Sequence, residues 1–331
     1  MRILAGDIGG TKTLLQIAEC DASRCRAVRE QRFDSGAYAS LATIIRDFFR
    51  DERAKEIEAA CFGVAGPVKH LASGQHVKVT NLPWEIDSQS LASEFGFPHA
   101  RLINDFQAVG YGIEALGEHD LVVLQRGEAV PRGPRAVIGA GTGLGQGILV
   151  WDRDHYEPIA TEGGHASFGP NDELQIELTR YLLQNCGRAS YERVLSGHGL
   201  VRLYAFLKER GETPESAALA QAMQKDDPAA AITRAALEGN DRLAIQALDL
   251  FVDIYGAQAG NLALTAGATG GVYIGGGIAP KIIARLTDGR FMRAFCNKGK
   301  MTPYVTAVPV QVVTNAQVGL IGAAVAASRM I

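Results

Sequence analysis

Ala5-Gly6-Asp7-Ile8-Gly9-Gly10-Thr11-Lys12-Thr13 follows directly on the chain's first apolar residues, and its reading decides the fold. Two later stretches share its character: Ile138-Gly139-Ala140-Gly141-Thr142-Gly143-Leu144-Gly145 and Val272-Tyr273-Ile274-Gly275-Gly276-Gly277-Ile278. Glycine lets backbone N–H groups turn toward an anion with no side chain in the way. Two such loops can grip a polyphosphate from both sides, and a third can sit under a nucleoside. The pattern implies a nucleotide held in a cleft between two domains.

Familiar nucleotide motifs do not fit. A P-loop begun at Gly6 requires glycine where Thr11 stands. A dinucleotide fingerprint begun at Gly141 finds Gly143 but meets Gln146 where its last glycine belongs. Residues 147–151 then continue as β-prone apolar sequence, as do residues 13–18 after the first loop. Both loops therefore read as strand, glycine turn, strand. An ordinary tight hairpin is the alternative for either one alone; the pair, with Asp7 beside one, favours a phosphate grip. Thr11 and Thr142 then stand at equivalent places.

With 331 residues the chain is long enough for two domains, and 47% hydrophobic and 21% charged residues are ordinary for a globular protein. A formal net charge of -3 offers no field to draw nucleic acid or an anionic membrane, so neither is expected as a partner. Asp7 interrupts any signal-peptide core, and the apolar stretch 243–266 carries Asp249 and Asp253, as a buried or amphipathic helix does. Five cysteines, an odd number without a Cys-x-x-Cys pair, argue against a disulfide framework and a structural zinc site. A cytoplasmic protein is expected.

Strands are expected at residues 3–5, 14–18, 59–65 and 100–103, with helices over 41–53 and from Ser88 as cap to 95. Residues 173–264 read as largely helical, 305–313 as strand, and 319–328 as a small-residue helix that packs back on the N-terminal domain. The fold class is α/β, with a small domain of residues 1–115 plus 306–331 and a large α+β domain of 116–305.

Asp105 ends an apolar strand, where ligands of α/β sheets collect, so it is a candidate reactive carboxylate. It is equally a candidate N-cap, unless Asn104 beside it takes that task. Glu162-Gly163-Gly164-His165 places a carboxylate and an imidazole on a glycine loop, suited to recognising hydroxyl groups; as a metal site it lacks a third ligand at a familiar spacing. Glu192 on its own reads as an exposed helix carboxylate.

Taken in order, Gly6–Thr11, Leu102–Phe106, Gly139–Gly145, Glu162–His165, Glu192–Gly197 and Gly260-Asn261-Leu262-Ala263-Leu264 resemble the bacterial ATP-dependent glucokinases of the proteobacterial type. The resemblance covers essentially the whole chain and implies the two-domain actin-like ATPase (ribonuclease H-like) fold of the hexokinases. No cysteine cluster follows His165, unlike the usual pattern of the related ROK sugar kinases. By resemblance, the partners are glucose and ATP, the cofactor is Mg²⁺, and a homodimer is implied. Asp105 would be the general base for the sugar 6-hydroxyl, with Asn104, Glu162, His165 and Glu192 on the other hydroxyls. Asp7 would hold Mg²⁺ through water. Gly6, Asp7, Ile8, Gly9, Gly10 and Thr11 would meet the phosphates from one side and Gly141, Thr142 and Gly143 from the other, with Gly275, Gly276 and Gly277 against the adenosine. A side chain at Gly143 is then expected to weaken ATP and spare glucose. The resemblance leaves open a related kinase for another hexose or an amino sugar.

Overall fold

A computed structural model describes residues 1–21, 25–50, 56–72 and 74–331. The chain divides into two compact units, one of residues 1–119, 152–160 and 315–331, the other of 120–151 and 161–314.

In the first unit β1 (Arg2–Ile8) and β2 (Lys12–Cys20) make the first glycine hairpin, antiparallel from Arg2 opposite Glu19 to Ile8 opposite Thr13. A further strand that the apolar pattern does not announce, β3 (Cys25–Asp34), pairs with β2. Helix α1 (Leu41–Phe48) is capped by Ser40 and buries Leu41, Ile44, Ile45 and Phe48. The end expected for it, 51–53, lies outside the described residues. β4 (Ala59–Val64) is buried along its whole length, as its unbroken apolar run requires. A small sheet of β5 (Lys69–Leu71), β6 (Gly74–Lys78) and β7 (Glu85–Asp87) precedes α2 (Ser88–Phe95), whose cap is Asp87 rather than Ser88. β8 (His99–Asn104) then runs directly into α3 (Asp105–Ile113). The main sheet has the order β3-β2-β1-β4-β8. β1, β4 and β8 are parallel, with Ile8 level with Val64 and Val64 with Asn104, so Asp7 and Asn104 finish on one edge of the sheet.

The second unit begins with β9 (Leu121–Gln125), β10 (Arg135–Ala140) and β11 (Leu144–Asp152). Most of β12 (His155–Thr161) is grouped with the first unit, where Gln107 Nε2 donates to Pro158 O and the Tyr111 hydroxyl to Glu157. The expected helical region holds α4 (Glu173–Cys186), α5 (Gly197–Arg210), α6 (Ala217–Lys225), α7 (Pro228–Leu237) and α8 (Arg242–Ala266). After β13 (Gly271–Gly275) come α9 (Ile283–Leu286), α10 (Arg290–Cys296), α11 (Thr302–Ala307) and β14 (Val310–Val313). Residues 305–307, expected as strand, finish α11 instead. Pro303 presets the first turn of that helix and Pro309 stops it, which leaves only four residues for β14. The strands run β11-β10-β13-β14-β9, with β10, β13 and β14 parallel. The expected small domain took in 306–331, yet Val310–Val313 pairs with β13 and β9 in the second unit. α8 approaches α10 through Gly256 and Gly260, where an added Cβ would stand 2.2 Å from Phe291 O and 2.4 Å from Phe295 O.

Finally α12 (Val318–Ser328) packs in the first unit on β1 and α3. A Cβ at Gly322 would fall 1.7 Å from Ala108 O, and one at Gly112 would fall 2.1 Å from Val318 O. Cys20 and Cys25 stand opposite each other in the β2–β3 register and are joined by a disulfide, which corrects the expectation from cysteine spacing. An odd total excludes complete pairing, not one bridge between residues that a hairpin sets face to face. No helix among the described residues is long and apolar enough to cross a membrane.

Candidate active site

Each unit carries part of the expected machinery. In the first, the turn Gly9–Lys12 is braced by Ser35, whose hydroxyl donates to Gly9 O at 2.9 Å and whose N–H donates to Thr11 O at 3.1 Å. Thr11 is exposed at its tip. Gly6 and Ile8 are different: both are buried within the sheet, and a Cβ at Gly6 would lie 2.6 Å from the Phe62 ring. Strand packing therefore accounts for the glycine at position 6. Burial pushes the Asp7 carboxyl above the ordinary carboxylate range, with Lys12 pulling the other way. Gly319 of α12 lies against it, where a Cβ would be in ordinary contact at 3.7 Å. A lone hard oxygen donor whose charge is disfavoured by burial suits a cation that keeps most of its waters, as Mg²⁺ does.

Asn104 takes the cap of α3. Its Oδ1 accepts from Phe106 N at 2.9 Å and Gln107 N at 3.3 Å, and its Nδ2 donates to Gly66 O at 3.3 Å. Asp105 is the first residue of the helix, with Oδ1 accepting from Phe106 N at 2.9 Å. Of the two readings open for Asp105, the cap proper thus belongs to its neighbour.

In the second unit two residues of one glycine loop, Glu162 and His165, meet a third from further along the chain, Glu192. The His165 imidazole lies between two carboxylates, with Nε2 3.9 Å from Glu162 and Nδ1 3.8 Å from Glu192. The other Glu192 oxygen accepts from Leu144 N at 3.2 Å. Glu192 sits in a one-turn helix, Tyr191–Arg193, which is why its surroundings alone made it look like any surface carboxylate. Gly164 faces Leu144 O, only 2.0 Å from where a Cβ would be, and Gly163 faces the Gln146 carboxamide. The backbone of Leu144 is thus flanked on both sides, its oxygen by the Glu162–His165 loop and its N–H by Glu192.

This changes the reading of the second glycine turn. Three residues, Gly141–Gly143, separate the paired Ala140 and Leu144, whereas four separate Ile8 and Thr13, so the two threonines are not in strictly equivalent places. Gly141 faces open space, but a Cβ at Gly143 would stand 2.7 Å from Glu192 Oε2. A side chain there reaches the Glu192 carboxylate first. At the third turn Gly276 has φ +82 and lies against Ala140 O, at 2.4 Å from an added Cβ. The buried Tyr255 hydroxyl fastens both turns, accepting from Ala140 N at 3.2 Å and facing Ile138 O at 3.3 Å and Gly275 O at 3.4 Å. Tyr255 went unnoticed in sequence because one tyrosine in an apolar helix carries no sign of its partners.

With this geometry in view, comparison with known proteins decides the kinship. A model of the glucokinase family matches residues 4–330. The chain belongs to the glucokinase family. A glucokinase from Nostoc sp. is 45% identical over 99% of both chains, and one from Hahella chejuensis is 37% identical over 97% of this chain and 95% of its own. The solved structure of a glucokinase from an Antarctic psychrotroph superposes with a TM-score of 0.85 at 33% identity, covering 99% of each chain. A ROK family glucokinase from Streptomyces griseus, solved with glucose and AMPPNP, has a TM-score of 0.66 at 21% identity and covers 99% of this chain and all of its own, a likeness of fold alone. The fold is the actin-like ATPase fold expected from the family.

Proposed function

We propose that the family reaction, transfer of the ATP γ-phosphoryl group to the 6-hydroxyl of glucose, is carried out here by Asp105 as general base. Asp105 takes the hydroxyl proton as the sugar oxygen bonds to phosphorus, the bond to the β–γ bridging oxygen breaks, and ADP leaves with glucose 6-phosphate. Such a transfer asks the protein mainly for alignment and charge stabilisation. Glu162, His165 and Glu192 accept and donate hydrogen bonds to the remaining hydroxyls, and Asn104 contributes its amide N–H, since its oxygen is engaged by the helix start. Gly9 to Thr11 and Gly141 to Gly143 present backbone to the phosphates, and Gly275 to Gly277 lie against the adenosine. Asp7 would hold Mg²⁺ through water, and the ion when bound neutralises charge on the phosphates.

The observation that carries this reading is the convergence of Glu162, His165 and Glu192 on one point. A neutral polyhydroxylated sugar matches such a group, because ionised carboxylates accept from several hydroxyls at once. A coupled assay with Mg-ATP and glucose, mannose, fructose or N-acetylglucosamine tests it. Glucose is expected to give the highest kcat/KM, and a higher value for another sugar would move the assignment to a different kinase of this fold. A homodimer belongs to the same reading and is checked by sedimentation.

A further inference from the structure

Gly260 and Asn261 stand in one of the six motifs shared with the family, yet neither belongs to the residues assigned to glucose or ATP. Lys298, just beyond α10, runs its aliphatic stem across Gly260, where a Cβ would be 2.6 Å from Lys298 Cε. Its Nζ donates to Asn261 Oδ1 at 2.8 Å and to Ala257 O at 2.9 Å. Asn261 Nδ2 in turn donates to the Tyr191 hydroxyl at 3.2 Å and to Gln258 Oε1 at 3.2 Å. The Tyr191 hydroxyl also accepts from Gly169 N at 3.4 Å, and its ring stands edge-on to Phe168. The Tyr191 backbone N–H donates to Ala166 O at 3.1 Å. Tyr191 therefore joins the segment after His165 to the turn that carries Glu192.

We propose that Asn261 and Lys298 are positioning residues for the sugar: they hold Tyr191, and through it the spacing of His165 and Glu192. Packing alone does not call for an ammonium here. Burial pulls the Lys298 pKa below the usual lysine range, so the charge is disfavoured, and an unbranched apolar chain would fill the space over Gly260 without that cost. What the ammonium adds is direction. It fixes which way the Asn261 amide faces, and so aims Nδ2 at Tyr191. The proposal rests on the assignment of His165 and Glu192 to glucose.

The test is steady-state kinetics, with glucose and ATP varied separately, on Lys298→Met, Asn261→Leu, Asn261→Asp and Tyr191→Phe, beside Glu192→Gln. Tyr191→Phe keeps the ring packing and removes only the hydroxyl, so it remains informative if Asn261→Leu fails to fold. Lys298→Met, Asn261→Leu and Tyr191→Phe are expected to raise the glucose KM roughly 5- to 30-fold, the effect of one unpaired buried polar group. Their ATP KM is expected to stay within about twofold of the parent, because binding of the nucleotide is not what is removed. In Asn261→Asp the carboxylate accepts from both Lys298 Nζ and the Tyr191 hydroxyl, so most of the parent's glucose KM should return. An unchanged glucose KM in the three variants, with Glu192→Gln raising it, overturns the positioning role alone. So does an equal rise in both KM values, which marks a merely structural role. If Glu192→Gln itself leaves the glucose KM unchanged, the assignment of Glu192 to glucose falls first and takes the proposal with it.

Discussion

At residue scale, Asn104 and Asp105 divide two tasks that either could have taken. Asn104 Oδ1 meets the N–H groups of Phe106 and Gln107, so Asp105→Asn leaves the cap of α3 in place and still offers an oxygen to Phe106. The variant is expected to lose roughly 10²–10⁴-fold in kcat while still binding glucose, as titration calorimetry can measure. A kcat near the parent's would remove Asp105 as the base. Gly143 belongs at the same scale. Gly143→Ala drives a methyl toward Glu192 Oε2 and threatens the bond to Leu144 N, so a rise in glucose KM equivalent to about 1–3 kcal/mol is expected. If only nucleotide affinity changes, the carboxylate does not lie against that turn. Asp105 and the glycine loops stand out in sequence because strand ends and glycine turns are local patterns, whereas Glu192 reads as an ordinary helix carboxylate and is singled out only by the family resemblance. The contact between Gly143 and Glu192 was not legible, since nothing local links residues so far apart in the chain.

At the scale of elements, the hairpins were legible because β-prone residues follow each glycine turn and exclude a helix. β3 was not, for it is mostly exposed and alternates no apolar face with a polar one. Its partner across the register carries the disulfide, which yields a direct count. Denatured, unreduced protein is expected to take three alkyl groups in intact mass spectrometry, on Cys61, Cys186 and Cys296, and five after reduction. Five groups without reductant would remove the bridge. The contact of α12 with α3 depends on bare backbone at Gly322, where a Cβ would overlap Ala108 O. Gly322→Ala is expected to lower stability by about 1–3 kcal/mol or more through overpacking, read as a fall in unfolding temperature. An unchanged transition would mean that the two helices stand further apart.

For the whole molecule, one titrating group has a predictable effect on stability. Burial raises the Asp7 pKa in the folded chain, so the native state holds that proton more tightly than the unfolded one. Stability from this group therefore falls as pH rises from the ordinary carboxylate range through the raised value, and the deficit persists at neutral pH. Asp7→Asn is expected to unfold at a higher temperature than the parent at pH 7, with the gap closing toward acid, while turnover is lost. A gap that does not change with pH would mean the carboxyl is not held in a desolvated place. The molecule's division into units was only partly legible, because β14 and β12 depart from the stretches around them and no composition shift marks either crossing. The position of α12 carries one more consequence, for biosynthesis. β1 leaves the ribosome long before α12, and Gly319, which lies beside Asp7, is made more than three hundred residues later. Until then the apolar surface of β1 that α12 will cover, with Ile3 and Ala5 in it, has no partner there. A growing chain thus carries the Asp7 carboxylate through more than three hundred residues of synthesis without the helix that completes its setting.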